Sequence, residues 1–138
     1  MTSGSCLCGG VMVTVQDEPI ATALCHCFDC RKTSGSGFAI NWVIPRDQLT
    51  ITGESKLKEY TTKALSGSPV TNHFCGSCGT TLWRDGAATQ GICYLKAGIL
   101  DDAAAVDSRK PAAEIFTTRR ITWLHSIEGA FQKQELNE

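Results

Sequence analysis

The stretch Cys25-His26-Cys27-Phe28-Asp29-Cys30-Arg31 sets three thiols one and two residues apart. Upstream, Cys6-Leu7-Cys8 repeats the C-x-C spacing, and downstream Cys75-Gly76-Ser77-Cys78 forms C-x-x-C; Cys93 stands alone. Two thiolates one or two residues apart reach a common ion at ~2.3 Å with little loop-closure cost. Gly79, directly after the third cluster, lets the backbone turn tightly and aim amide N–H groups at sulfur. No apolar h-region is visible in MTSGSCLCGG (1–10), and no apolar run approaches the ~18–20 residues of a membrane span. The expected compartment is the reducing cytoplasm, where clustered cysteines bind metal or do chemistry in preference to forming disulfides. Soft thiolate sets favour zinc or iron–sulfur. Separate clusters of two, three and two fit an iron–sulfur cluster poorly, so zinc is the expected ion.

Seven clustered ligands divide naturally as four plus three. A closed structural site uses four ligands, and a catalytic site keeps three with one position open. Spacing leaves two divisions standing. Sixteen residues separate Cys8 from Cys25, which permits a ribbon-like site from the first two clusters and leaves Cys75 and Cys78 with Cys93. The other division joins Cys6, Cys8, Cys75 and Cys78 across a long loop and leaves Cys25, Cys27 and Cys30 together.

Around the cysteines the periodicity is that of strands. Val11, Val13 and Val15 alternate, as do Phe38, Ile40, Trp42 and Ile44. Leu49 and Ile51, then Leu57 and Tyr60, suggest short strands on either side of Gly53-Glu54. Segments 70–75, 80–84, 91–99 and 114–120 are rich in Thr, Val, Ile, Phe, Tyr or Trp. Helical signals are few: a turn after Cys27, a short turn at 103–106 capped by Asp101 or Asp102, and a C-terminal turn or two through Ile127, Ala130, Phe131 and Gln134. QKQELNE (132–138) has the composition of a solvated tail, and loose order is expected from about residue 126. The expectation is one mainly-β domain spanning 1–138. Thirteen Lys and Arg against fourteen Asp and Glu give a net charge of −1, which argues against nucleic acid as a partner. At 42% apolar and 20% charged residues, the chain has the composition of a folded domain.

Taken together, GSCLCGG (4–10), CHCFDCR (25–31), SGSGFA (34–39), HFCGSCGT (73–80) and RRITWL (119–124) resemble the glutathione-dependent formaldehyde-activating enzyme family, which includes centromere protein V. The likeness runs over roughly residues 3–125. It implies a zinc-containing β-tent fold of several short antiparallel sheets, and it selects the second division of ligands. Cys6, Cys8, Cys75 and Cys78 are then a structural zinc site, and Cys25, Cys27 and Cys30 an open catalytic one, two zinc ions per chain. The implied activity is carbon–sulfur lyase or synthase chemistry on a small thiol adduct such as S-hydroxymethylglutathione, formed from glutathione and formaldehyde. The alternative is a non-enzymatic zinc scaffold that binds a protein partner, because fold does not fix function.

Three further residues are expected at the substrate. Arg31 and Lys32 follow Cys30 and have the charge to offset thiolates or grip a carboxylate. Ser34 opens the SGSG run, whose backbone is free to approach a ligand closely. His26, between two ligands, is expected to point away from them and to pack. Phe38, Trp42 and His73 are expected to be structural, His125 to have no catalytic role, and Cys93 to be a buried small hydrophobe. Glu114 occupies a position where relatives often carry histidine. Nothing in the spacing assigns a general acid or base.

Overall fold

The structure is a computed structural model and describes residues 1–135. The end of the expected tail, 136–138, lies outside the described residues. Strands β1 (Thr2–Ser5), β2 (Met12–Val15) and β5 (Leu49–Thr52) form an antiparallel three-stranded sheet in the order β1-β2-β5. The second sheet has eight strands. It comprises β3 (Ala21–Cys25), β4 (Ala39–Pro45), β6 (Leu57–Lys63), β7 (Pro69–Cys75), β8 (Thr81–Gly86), β9 (Ile92–Lys96), β10 (Ala113–Ile115) and β11 (Phe131–Gln132). Its order is β11-β10-β3-β4-β9-β8-β7-β6. All its pairings are antiparallel except the two made by β10, which lies parallel to β3 and β11. The helices are short: α1 (Phe28–Ser34), directly after Cys27, and α2 (Ala103–Asp107), capped by the Asp102 side chain as its position suggests. Among the described residues no helix is long and apolar enough to cross a membrane.

The alternating residues meet in one core. Val13, Val15 and Leu49 from the small sheet pack with Trp42, Ile44, Leu82 and Leu95 from the large one, all essentially buried. Each such aliphatic side chain contributes roughly 1.5–3 kcal/mol when fully buried. Strand β4 is covered on both faces: Trp42 and Ile44 enter this core, while Ala39 and Asn41 are buried on the opposite face. Ala39 belongs to a smaller cluster with Cys25, Cys30 and Phe116.

The short strands expected on either side of Gly53-Glu54 form as β5 and β6, of which β5 joins β2 and β6 joins β7. Gly53 lies at φ +81°, and a Cβ there would stand 1.9 Å from the Gly10 carbonyl oxygen, so the close approach of the two turns requires glycine. The strand expected over 114–120 ends at Ile115, because Phe116 adopts φ +54° and starts a 3-10 turn while its ring stays buried. The C-terminal turn expected through Phe131 is instead strand β11. The Phe131 N–H donates to the Ala112 carbonyl at 2.9 Å, and the Lys133 N–H to that of Glu114 at 2.9 Å. Residues 127–133 are thus tied to the sheet edge, though Phe131 is exposed.

Candidate metal centres

Cys6 and Cys8 lie on the turn between β1 and β2; Cys75 closes β7, and Cys78 lies on the turn into β8. Each turn uses a left-handed glycine, Gly9 at φ +76° and Gly79 at φ +80°, which folds the chain back so that its sulfurs converge. The Gly9 N–H donates to the Cys6 carbonyl at 3.0 Å and the Gly79 N–H to that of Cys75 at 2.8 Å. Thr80 ties the turns together: its hydroxyl accepts the Leu7 N–H at 3.0 Å and contacts Cys78 Sγ at 3.3 Å. All four sulfurs lie within 4.8 Å of one another. Cys6 and Cys8 Sγ are 3.6 Å apart, and Cys8 and Cys75 Sγ 3.8 Å. Tetrahedral ligands at ~2.3 Å from an ion stand ~3.8 Å from each other. The set has the donors and spacing for one metal ion, and it joins the two sheets. The Thr80 hydroxyl, then the Thr80 and Cys8 amides, bring the Cys78 thiol down to about 5, nearer the thiolate a metal ion needs.

The second set forms where β3 meets α1. Cys25 ends β3, Cys27 is the N-cap of α1 with its Sγ accepting the Cys30 N–H at 3.3 Å, and Cys30 is buried in the first turn. Their three sulfurs also lie within 4.8 Å of one another. Hydrogen bonds from Cys25 and Cys27 outweigh burial and, with the Lys96 ammonium and Asn41 amide, hold the Cys30 thiol down to about 2. The bonds to Cys27 and Cys30, then burial, push Cys25 up. Among the described residues no fourth protein ligand joins these three thiols, which suits an ion that keeps a position open.

The candidates around these sets fall into distinct places. His26 is fully buried, and its Nε2 pairs with Glu114 Oε1 at 2.9 Å. Glu114 Oε2 accepts the Ile127 N–H at 2.8 Å and Gln132 Nε2 at 2.7 Å, with Arg120 at 3.4 Å. Burial pushes the Glu114 carboxyl up, and these bonds more than reverse it, leaving it below its usual range. Cys93 is fully buried in the main core, outside both sets, and burial pushes its thiol up to about 11. His73 stacks on Trp83 with centroids 4.4 Å apart and meets Asp85 at 3.0 Å. Trp42 is in the core, Phe38 is half-buried with its ring 6.2 Å from that of His26, and His125 is exposed.

Cys27 also lines a cavity of about 310 Å³, whose walls include Phe28, Asp29, Lys63, Arg84, Phe116 and Arg119. Arg84 meets Asp29 at 3.2 Å, and the Arg119 guanidinium lies 5.1 Å from the exposed Phe28 ring. Arg31, Lys32 and Ser34 do not line this cavity. The Arg31 guanidinium also lies over the Phe28 ring, at 5.5 Å, Lys32 is exposed, and the Ser34 hydroxyl donates to the Cys30 carbonyl at 2.6 Å at the end of α1. Lys63 carried no sequence signal that linked it to the cysteines; Arg119 opens the RRITWL segment, which the family resemblance had grouped with them. Lys96 had a faint one, as a charged residue ending the apolar run Ile92–Leu95.

Three comparisons bear on this arrangement. The family model for the glutathione-dependent formaldehyde-activating enzyme matches residues 1–119. A Podospora anserina protein carrying the name "Putative glutathione-dependent formaldehyde-activating enzyme" is 33% identical over 82 residues, which is 57% of this chain and 37% of that one. The chain thus matches little more than a third of that relative's length. The crystal structure of a Rhodobacter sphaeroides protein superposes with a TM-score of 0.62 at 21% identity, covering 79% of this chain and 96% of that one; at this identity the likeness shows the shared fold. With the family match running over most of the chain and through both cysteine sets, the chain belongs to the glutathione-dependent formaldehyde-activating enzyme family.

Proposed function

We propose that the chain is a zinc-dependent carbon–sulfur lyase or synthase acting on a small thiol adduct such as S-hydroxymethylglutathione, in the reducing cytoplasm. The observation that carries this is the pairing of a complete four-thiol set with a separate three-thiol set whose Cys27 lines a cavity. Cys6, Cys8, Cys75 and Cys78 would hold a structural ion, and Cys25, Cys27 and Cys30 a second. Zinc supplies stabilisation of a substrate thiolate at such a three-cysteine site.

The chain's own residues supply the rest. The cavity admits a thiol beside Cys27, and its position there gives the proximity that a bimolecular condensation otherwise lacks. Lys63 and Arg119 are exposed cations on the cavity wall, suited to the carboxylates of a peptide thiol. Arg84 is paired with Asp29 and stiffens the wall next to Cys27. The buried Phe116 ring, held in a strained backbone conformation, packs against the cysteine set and limits water around it.

Metal counting on wild type, Cys25→Ser and Cys75→Ser, with thiol-adduct turnover measured alongside, tests this. Wild type is expected to hold two zinc ions. Cys75→Ser should unfold or aggregate, because structural zinc carries ~10 kcal/mol or more of folding energy in small zinc domains. Cys25→Ser should stay folded and lose turnover. A wild type that is inactive over a broad panel of thiol adducts while holding its second ion tightly would move the assignment to a zinc scaffold for a protein partner.

A further inference from the structure

Lys96 is buried, 8% exposed, at the end of β9. Among the described residues it forms no ion pair with a carboxylate; its ammonium donates to Asn41 Oδ1 at 3.0 Å and to Cys30 Sγ at 3.8 Å. The β4–β9 register sets Asn41 directly opposite Lys96. The Asn41 amide in turn donates to the same sulfur at 3.7 Å. Asn41 is itself buried, so three groups from β4, β9 and α1 close a small polar triangle, and Lys96 also borders a cavity whose walls include Thr33, Ser34, Phe38 and Thr81.

Such a triangle has a cost. A buried ammonium loses its hydration and persists only where an anion or a good acceptor set faces it. Asn41 is neutral, so the anionic partner within reach is Cys30 sulfur, a thiolate when it holds a metal ion. The hydrogen bonds that reach the four-cysteine set are different in kind: they come from backbone N–H groups such as those of Val11 and Thr80, from the Thr80 hydroxyl and from the cysteines themselves, all neutral donors. Among the described residues, an ammonium in hydrogen-bond reach of sulfur distinguishes the three-cysteine set.

We propose that Lys96, oriented by Asn41, is a positioning residue that keeps a fixed positive charge against the Cys25–Cys27–Cys30 set so that a metal ion held there accepts a substrate thiolate as its fourth ligand. The charge balance explains the need. Three thiolates on a divalent ion leave one net negative charge, and a fourth thiolate would raise that to two. With the ammonium included, the three-thiolate centre is neutral and the incoming anion raises it to one. The same charge draws electron density from Cys30 sulfur, which offsets the loss of Lewis acidity that three thiolates impose.

This rests on the reading of Cys25, Cys27 and Cys30 as a metal set, and the test separates the two. Full-length wild type, Lys96→Met, Lys96→Gln and Lys96→Arg are loaded with Co²⁺ at both sets. Three readouts follow: chelator competition at the three-cysteine set, the sulfur-to-cobalt charge-transfer band, and binding of 2-mercaptoethanol, a thiol without a carboxylate. Lys96→Met is expected to weaken metal binding at that set by about 10–100-fold, to shift the band to longer wavelength, and to weaken 2-mercaptoethanol binding by about ten-fold. Lys96→Arg should restore all three to within a few-fold. A Lys96→Met protein that also loses metal from the four-cysteine set has misfolded, and Lys96→Gln, which keeps a donor to Asn41 without the charge, then decides by the same readouts. Two ions per chain with wild-type affinity, band and thiol binding in the uncharged variants overturn the role of Lys96 alone. A wild type holding a single ion overturns the three-cysteine metal set and this inference with it.

Discussion

Replacing Glu114 with alanine removes one carboxylate that four groups converge on. The side chain is 1% exposed. Its partners are His26 Nε2 at 2.9 Å, the Ile127 N–H at 2.8 Å, Gln132 Nε2 at 2.7 Å and the Arg120 guanidinium at 3.4 Å. Hydrogen bonds to a charged group contribute ~1.5–3 kcal/mol each, and simple addition overcounts because the donors share one acceptor. Removing one partner of a buried ionic network costs ~3–5 kcal/mol, and that is the expected loss. A stability of ~7–20 kcal/mol for a chain of this size survives it. With an unfolding entropy of about 2.1 cal/mol/K per residue, the loss lowers Tm by roughly 10–17 °C. Glu114→Gln keeps an acceptor for His26 and loses the charge, so about half that drop is expected. The assay is thermal unfolding of the metal-loaded protein. The sign with pH is also set. Burial and hydrogen bonding together leave the folded carboxyl below its ordinary 4.5, so its contribution is fully present above that value and is lost as pH falls through the depressed folded pKa. The gap between wild type and Glu114→Gln should therefore close only below about pH 4.5. A Glu114→Ala protein within ~1 kcal/mol of wild type at neutral pH would refute the argument that this carboxylate ties the segment 126–132 to the loop bearing Cys25 and Cys27.

Three other outcomes are expected. Gly53→Ala should cost at least ~2 kcal/mol in chemical denaturation, since its Cβ would meet the Gly10 carbonyl oxygen at 1.9 Å and its φ is +81°; an unchanged midpoint would show that the turns tolerate separation. Cys93→Ala should leave two metal ions per chain by elemental analysis and cost about 1–2 kcal/mol through the small cavity it opens in the core. Arg119→Ala should leave metal content and Tm unchanged and raise KM for a carboxylate-bearing thiol adduct by about ten-fold, the loss of one charge-assisted contact; equal KM values would remove Arg119 from substrate binding.

What was legible in the chain followed from local chemistry. Val13 and Val15, and Trp42 and Ile44, could be placed in a core because strand alternation has a period of two and needs no knowledge of the partner. The C-x-C and C-x-x-C pairs could be read as chelating because their spacing brings two sulfurs together within one turn. The left-handed glycines after them make those turns. What local spacing left open was which pair joins which. Cys8 and Cys75 are far apart in the chain and 3.8 Å apart in space. Spacing equally allowed the first cluster to pair with the second, and family resemblance had to choose.

The eight cysteines, their clusters and the mainly-β pattern were thus determined by the sequence alone, because thiol affinity for metal and strand periodicity are properties of short segments. Only the tertiary structure decided how the clusters combine: the turn between β1 and β2 meets the turn between β7 and β8 at Thr80. The same holds for the neighbours of the three-cysteine set. Asn41 and Lys96 are 55 residues apart and become partners through the β4–β9 register. Glu114 reaches His26 across 88 residues because β10 lies parallel to β3. Each of these contacts depends on pairing between distant strands, and that pairing is stabilised by the core as a whole, which no short segment encodes.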